Sequence, residues 1–181
     1  MFKIEKSSLP EVLILEPYSY YDDRGFFFES FNQRKFNGII NRNINFVQDN
    51  HSYSVKNVLR GLHYQLYKPQ GKLIRVIKGS IYDVAVDLRS HSKSFGNWTA
   101  FKLTEQNKKQ LWIPEGFAHG FLVLSEFAEV LYKTTEYWYK DDEKTIKWND
   151  PALNISWPIK NNPIVSKKDS EGFYLNKAQT Y

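Results

Sequence analysis

A succession of short strand-like segments, each closed by turn residues, leaves this chain few architectures to fold into. They are Val12–Glu16, Gly25–Phe31, Asn45–Gln48, Val58–Gln65, Lys72–Ile77, Ile81–Leu88, Trp98–Thr104, Gln110–Ile113, His119–Leu124 and Ala128–Thr135. The clearest alternation sets Tyr82, Val84, Val86 and Leu88 against Asp83, Ala85, Asp87 and Arg89, as a strand with two unlike faces requires. Gly79-Ser80 ahead of it reads as a hairpin turn. Helical periodicity is confined to Asn32–Ile40 and a stretch near Ser166–Leu175. Many short strands with little helix predict an all-β sandwich or barrel. No GxGxxG or GxxxxGK run occurs, so a parallel α/β nucleotide fold is not supported.

At 181 residues, 41% of them hydrophobic, the chain can bury a sizeable core as one domain spanning 1–181. It has no cysteine, which removes disulfides, thiolate metal sites and cysteine nucleophiles. Charges at Lys3, Glu5 and Lys6 interrupt what a signal peptide needs to be apolar, and no apolar run approaches the roughly 18 residues of a membrane span. A soluble, cytoplasmic protein is expected. The net charge of +5 comes from scattered residues, not the dense basic stripe of a nucleic-acid binder. It suits a solvated surface, or a small anionic ligand such as a phosphorylated metabolite.

Two segments place histidine beside glycine, arginine or proline at strand boundaries: Arg60-Gly61-Leu62-His63-Tyr64-Gln65 and Pro114-Glu115-Gly116-Phe117-Ala118-His119-Gly120. The second has the PxGxxH form of the second histidine motif of cupin jelly rolls. Cupins pair it with a first motif, HxH, whose histidines hold a metal. Here that motif reads His63-Tyr64-Gln65, and glutamine is a poor ligand for a transition metal. No metal is expected, and the histidines need another task.

Longer stretches make the resemblance specific. Asp23–Glu29, Phe46–Ser52, Val58–His63, Gln70–Leu73, Tyr82–Asp87, Gln110–Gly120, Leu131–Lys133 and Ser166–Asp169 are similar, in order, to the dTDP-4-dehydrorhamnose 3,5-epimerases. The resemblance implies a cupin-like jelly roll with short peripheral helices, acting as a homodimer on dTDP-4-dehydro-6-deoxy-D-glucose without a cofactor. It also implies an N-terminal strand exchanged across the dimer.

The chemistry can be argued independently. A C4 ketone acidifies the hydrogens at C3 and C5, so inversion needs a base on one face, a stabilised enolate oxygen, and an acid on the other. By resemblance His63 is the base and Asp169 its orienting carboxylate. Lys72 is the cation at the enolate oxygen. Tyr132, whose free hydroxyl has a pKa of about 10, is the acid. His119 and Arg60 line the same pocket, but strict alternation puts Arg60 and His63 on opposite faces unless Gly61 permits a bulge. Read without the resemblance, Asp169 lies in a polar, solvated stretch. Tyr132 is one of 12 tyrosines, and Lys72 an ordinary strand-edge lysine.

For the nucleotide the resemblance assigns Arg24, Phe27 and Glu29, reaching in from the second protomer, with Gln48, Asn50, Tyr137, Trp138 and Lys167. The family commonly has tyrosine where Trp138 stands; tryptophan keeps the stacking surface and loses the hydroxyl. Leu66–Pro69 forms a shorter loop than the family's, altering the pocket rim. Other readings remain open: a mono-epimerase of a related dTDP-4-keto sugar, a non-catalytic sugar-nucleotide-binding cupin, and a metal-dependent oxygenase built on His63, His119 and a carboxylate.

Overall fold

A computed structural model describes residues 2–181. Thirteen strands dominate it: Phe2–Lys6 (β1), Leu13–Pro17 (β2), Tyr20–Asp22 (β3), Gly25–Phe27 (β4), Gln48–Val55 (β5), Leu59–Gln65 (β6), Lys72–Lys78 (β7), Ser80–Asp87 (β8), Trp98–Thr104 (β9), Gln110–Ile113 (β10), Phe117–Val123 (β11), Phe127–Thr134 (β12) and Glu143–Thr145 (β13). Helices are limited to Gln33–Ile40 (α1), Lys167–Ser170 (α2) and a 3₁₀ turn at Leu175–Lys177. Among the described residues no helix is long and apolar enough to cross a membrane.

The strands form a six-stranded sheet, ordered β1-β2-β10-β7-β12-β5, and a five-stranded sheet, ordered β13-β6-β11-β8-β9. The two pack face to face as a cupin-like jelly roll. Ile14, Ile74, Leu111, Ile113 and Val130 from the first meet Ile81, Ala85, Leu103, Phe121 and Val123 from the second. Fully burying each large aliphatic or aromatic side chain here contributes about 1.5–3 kcal/mol. At one end this apolar filling gives way to polar side chains, and there the sheets enclose a pocket.

Most expected strands recur within a residue or two, but Gly25–Phe31 is cut to Gly25–Phe27, and Asn45–Val47 lies outside any strand, with β5 beginning only at Gln48. β1, β3 and β13 were not legible as strands. Asn32 caps α1 by accepting the Lys35 N–H, and Phe36 is buried against Phe46 and Trp112. The expected C-terminal helix shrinks to α2, because Gly172 and the chain after it turn back along β13.

Two local expectations are corrected. Gly79-Ser80 is not a hairpin turn: β7 pairs with β10 and β12, while β8 pairs with β11 and β9. Gly79, at φ 77°, instead carries the chain from one sheet to the other where a Cβ would strike the Phe127 carbonyl. The alternation in β8 is real but runs opposite to a simple apolar-in, polar-out rule. Asp83 and Ala85 face the inter-sheet space, while Val84, Val86 and Leu88 pack outward against Leu153, Ile155, Trp157 and Tyr181 of the C-terminal segment. That segment covers an apolar face that would otherwise meet water.

Candidate active site

The pocket has a volume of about 370 Å³ and is lined by Gln48, Asn50, Ser52, Arg60, His63, Gln70, Lys72, His119, Tyr132, Trp138, Glu143 and Lys168, with Gly120 and Phe121. Each side chain is there for a positional reason. On β5 the alternating residues Gln48, Asn50 and Ser52 point inward, with Gln48 Nε2 donating to Asn50 Oδ1 at 2.9 Å.

β6 breaks the alternation. His119 lies opposite His63 and Phe121 opposite Arg60, so two steps along β11 match three along β6. The extra residue is a bulge, and Gly61 at φ 110° makes it possible. A Cβ on Gly61 would come within 2.6 Å of Gly120 Cα and the His119 carbonyl oxygen. The bulge turns both Arg60 and His63 into the pocket. Arg60 Nε donates to Ser54 Oγ at 2.9 Å, which holds its guanidinium along the wall.

His63 Nε2 lies 2.5 Å from Asp169 Oδ1. Asp169 is almost wholly buried on α2, its own N–H donating to Ser166 Oγ. Burial pulls the His63 imidazole below its ordinary pKa against the opposing pull of Asp169. Burial pushes Asp169 upward, but the hydrogen bond and charge of His63 outweigh it and hold the carboxyl below its usual range. At neutral pH the pair is therefore a carboxylate accepting a hydrogen bond from Nε2–H of a neutral imidazole. Nδ1 is left free to take a proton.

Lys72 opens β7 and is 7% exposed; its Nζ donates to the His63 carbonyl at 3.2 Å. Burial pushes its pKa down to about 8, so it remains mostly charged at pH 7. Tyr132 comes from β12, in the sheet facing that of His63, and burial with the nearby Glu143 charge raises its hydroxyl pKa. It is protonated at neutral pH. His119 Nε2 is 2.9 Å from Asp83 Oδ1, a second imidazole backed by a buried carboxylate.

Of the residues expected from sequence, His63, Lys72, Tyr132, Gln48, Asn50, Arg60, His119 and Trp138 line the pocket, and Asp169 stands behind His63. Arg24, Phe27 and Glu29 do not. Arg24 pairs with Asp22, Phe27 is exposed, and Glu29 pairs with Lys35. Tyr137 is an exposed neighbour of the wall, holding it through its backbone rather than its ring. Lys167 points away, with Glu171 at 3.9 Å, and its neighbour Lys168 takes the pocket position, 2.8 Å from Glu143. Asp169 must face β6, and in a helix this short that orientation decides which lysine reaches the pocket. Glu143 and Ser52 carried no distinguishing signal in the sequence. Asp83 did, as a carboxylate flanked by the apolar Ile81, Tyr82, Val84, Ala85 and Val86 of β8.

A family model described as dTDP-4-dehydrorhamnose 3,5-epimerase matches residues 6–177. The chain is 54% identical over 170 residues to the dTDP-4-dehydrorhamnose 3,5-epimerase of Pseudomonas aeruginosa, covering 94% of each chain. It is 53% identical to that of Salmonella typhimurium, covering 98% of each. A similar solved structure is the dTDP-6-deoxy-D-glucose-3,5-epimerase of Legionella pneumophila, crystallised with dTDP-4-keto-L-rhamnose. Its TM-score is 0.97 at 45% identity, covering 99% of this chain and 95% of that one. With a model matched along nearly its whole length and relatives above half identity, the chain belongs to the dTDP-4-dehydrorhamnose 3,5-epimerase family.

Proposed function

We infer that this chain, acting as one domain over 1–181, inverts C3 and C5 of dTDP-4-dehydro-6-deoxy-D-glucose to give dTDP-4-dehydro-L-rhamnose, in dTDP-L-rhamnose biosynthesis. The observation that carries the reading is the placement of His63 and Tyr132 on opposite sheets of one pocket that Lys72 also lines. A base and an acid on opposite walls can address opposite faces of a sugar ring, as inversion demands.

In this reading His63 Nδ1 removes the proton beside the ketone, and Asp169 stabilises the imidazolium that forms. The electron pair of the broken C–H bond moves onto the C4 oxygen, where Lys72 meets the negative charge. Tyr132 delivers a proton to the opposite face, forming the new C–H bond. Solvent returns a proton to the tyrosinate and takes one from the imidazolium. Each inversion exchanges one proton for another, so no oxidant or reductant is consumed.

Arg60, His119, Gln48, Asn50, Trp138 and Lys168 supply polar and cationic contacts for the sugar and diphosphate. The β3–β4 hairpin leaves Tyr20, Tyr21, Phe26 and Phe27 each at least 60% exposed, an apolar projection that a second copy of the chain would bury. In a homodimer with this segment exchanged, Arg24, Phe27 and Glu29 reach the partner's nucleotide. The absence of cysteine suits a cytoplasmic location, where nucleotide sugars are made.

Mass spectrometry of product formed in D₂O tests the reaction. Gain of two deuterons per sugar is expected; a single deuteron would make the enzyme a mono-epimerase, and none would refute the reading. Light scattering tests the assembly, with a dimer expected and a monomer that still binds dTDP contradicting it.

A further inference from the structure

Gln65 occupies the position that, in the HxH motif of metal-binding cupins, belongs to the second histidine. It is 1% exposed, and its amide is fully engaged. Nε2 donates to the carbonyls of Lys68, at 2.7 Å, and Tyr137, at 3.0 Å, and Oε1 accepts the N–H of Tyr139 at 2.7 Å. These three backbone groups belong to two loops, 66–71 and 135–142, that form one wall of the pocket.

The order passes onward. With Tyr137 and Tyr139 both held, the Trp138 N–H between them donates to Gln48 Oε1 at 2.9 Å. That bond orients the Gln48 amide so that Nε2 points at Asn50 Oδ1. Trp138, Gln48 and Asn50 all line the pocket. Other bonds join the two loops: Asp142 accepts the N–H groups of Tyr67 and Lys68, and Gln70 Nε2 donates to the Glu136 carbonyl. These secure the loops to each other. Among the described residues, Gln65 is the β6 side chain that bonds the backbone of Tyr137 and Tyr139 directly, two residues from His63. Its own carbonyl accepts the hydroxyl of Tyr181, so the C-terminus locks the residue from behind.

We propose that Gln65 is a positioning residue for substrate binding, holding the Tyr137–Tyr139 backbone so that Trp138, Gln48 and Asn50 present a preformed wall to the nucleotide sugar. The proposal rests on the functional reading above. It assigns Gln65 no contact with the reacting carbons. Its loss therefore weakens binding in ground and transition states alike and leaves the proton transfers intact.

The test compares wild type with Gln65→Met, which keeps the length and packing but removes the amide. KM is expected to rise about tenfold, with kcat within about threefold of wild type. The acid limb of the kcat profile should not move, and the Kd for dTDP, measured by equilibrium dialysis, should rise in step with KM. Gln65→Glu sets an acceptor against the Lys68 and Tyr137 carbonyls and is expected to weaken binding at least as much. If wild type itself shows no epimerisation, the functional reading fails. If wild type is active but Gln65→Met keeps its KM and dTDP affinity, or loses kcat alone, the positioning role is refuted. Failure of both variants to fold would assign Gln65 to the fold rather than to the site, and would equally overturn the proposal.

Discussion

His63 and His119 face each other across the β6–β11 ladder, immediately beside the bulge that Gly61 creates. Each imidazole is backed by a buried carboxylate, Asp169 for the first and Asp83 for the second. Strand pairing thus brings together two histidines far apart in sequence, and the bulge adds Arg60 to the same wall.

The dyad predicts a particular pH response. Burial lowers the His63 pKa, so the acid limb of kcat should lie below the value of about 6.5 for free histidine. Asp169 pulls in the opposite sense, and its charge is lost in Asp169→Asn. That variant should move the acid limb further down while kcat falls about 10²-fold. A limb that moves upward would contradict the assigned pairing.

Lys72 governs the alkaline side. Its pKa is pushed down to about 8, so the cation at the enolate oxygen disappears as pH rises through that value, and kcat should decline with it. Lys72→Met is expected to lower kcat about 10²–10³-fold at pH 7. An alkaline limb that keeps its position in Lys72→Arg would assign it to another group.

Tyr132→Phe separates proton removal from inversion. With His63 intact, deuterium should still enter from D₂O on the face of the base, while inverted product forms about 10²–10⁴-fold more slowly. Equal loss of exchange and inversion would place Tyr132 on the side of the base.

Gly61→Ala tests the bulge. The new Cβ meets backbone at 2.6 Å in a conformation, φ 110°, that side chains rarely adopt. Urea denaturation should show a loss of about 2–3 kcal/mol or more, with activity falling because His63 is displaced. Unchanged stability would mean the strand can pair without the bulge.

Much of this was legible in the sequence because the strands are short and their turns strongly marked, and because His63, Lys72 and Tyr132 lie in family-like motifs. Arg60 and His63 could be joined in advance only conditionally, since glycine permits a bulge without requiring one. Other features depend on tertiary context. Gly79 serves a hairpin and a sheet-to-sheet crossing equally well. The apolar face of β8 looks like a core face until the C-terminal segment is seen to cover it. Lys167 and Lys168 are equivalent by type, and only the docking of Asp169 on His63 separates them.

The most direct test is proton NMR in D₂O with dTDP-4-dehydro-6-deoxy-D-glucose, comparing wild type with His63→Ala. Deuterium should enter both C3 and C5 with wild type and neither with the variant. Continued labelling of either carbon by His63→Ala would contradict the assignment of His63 as the base for both inversions.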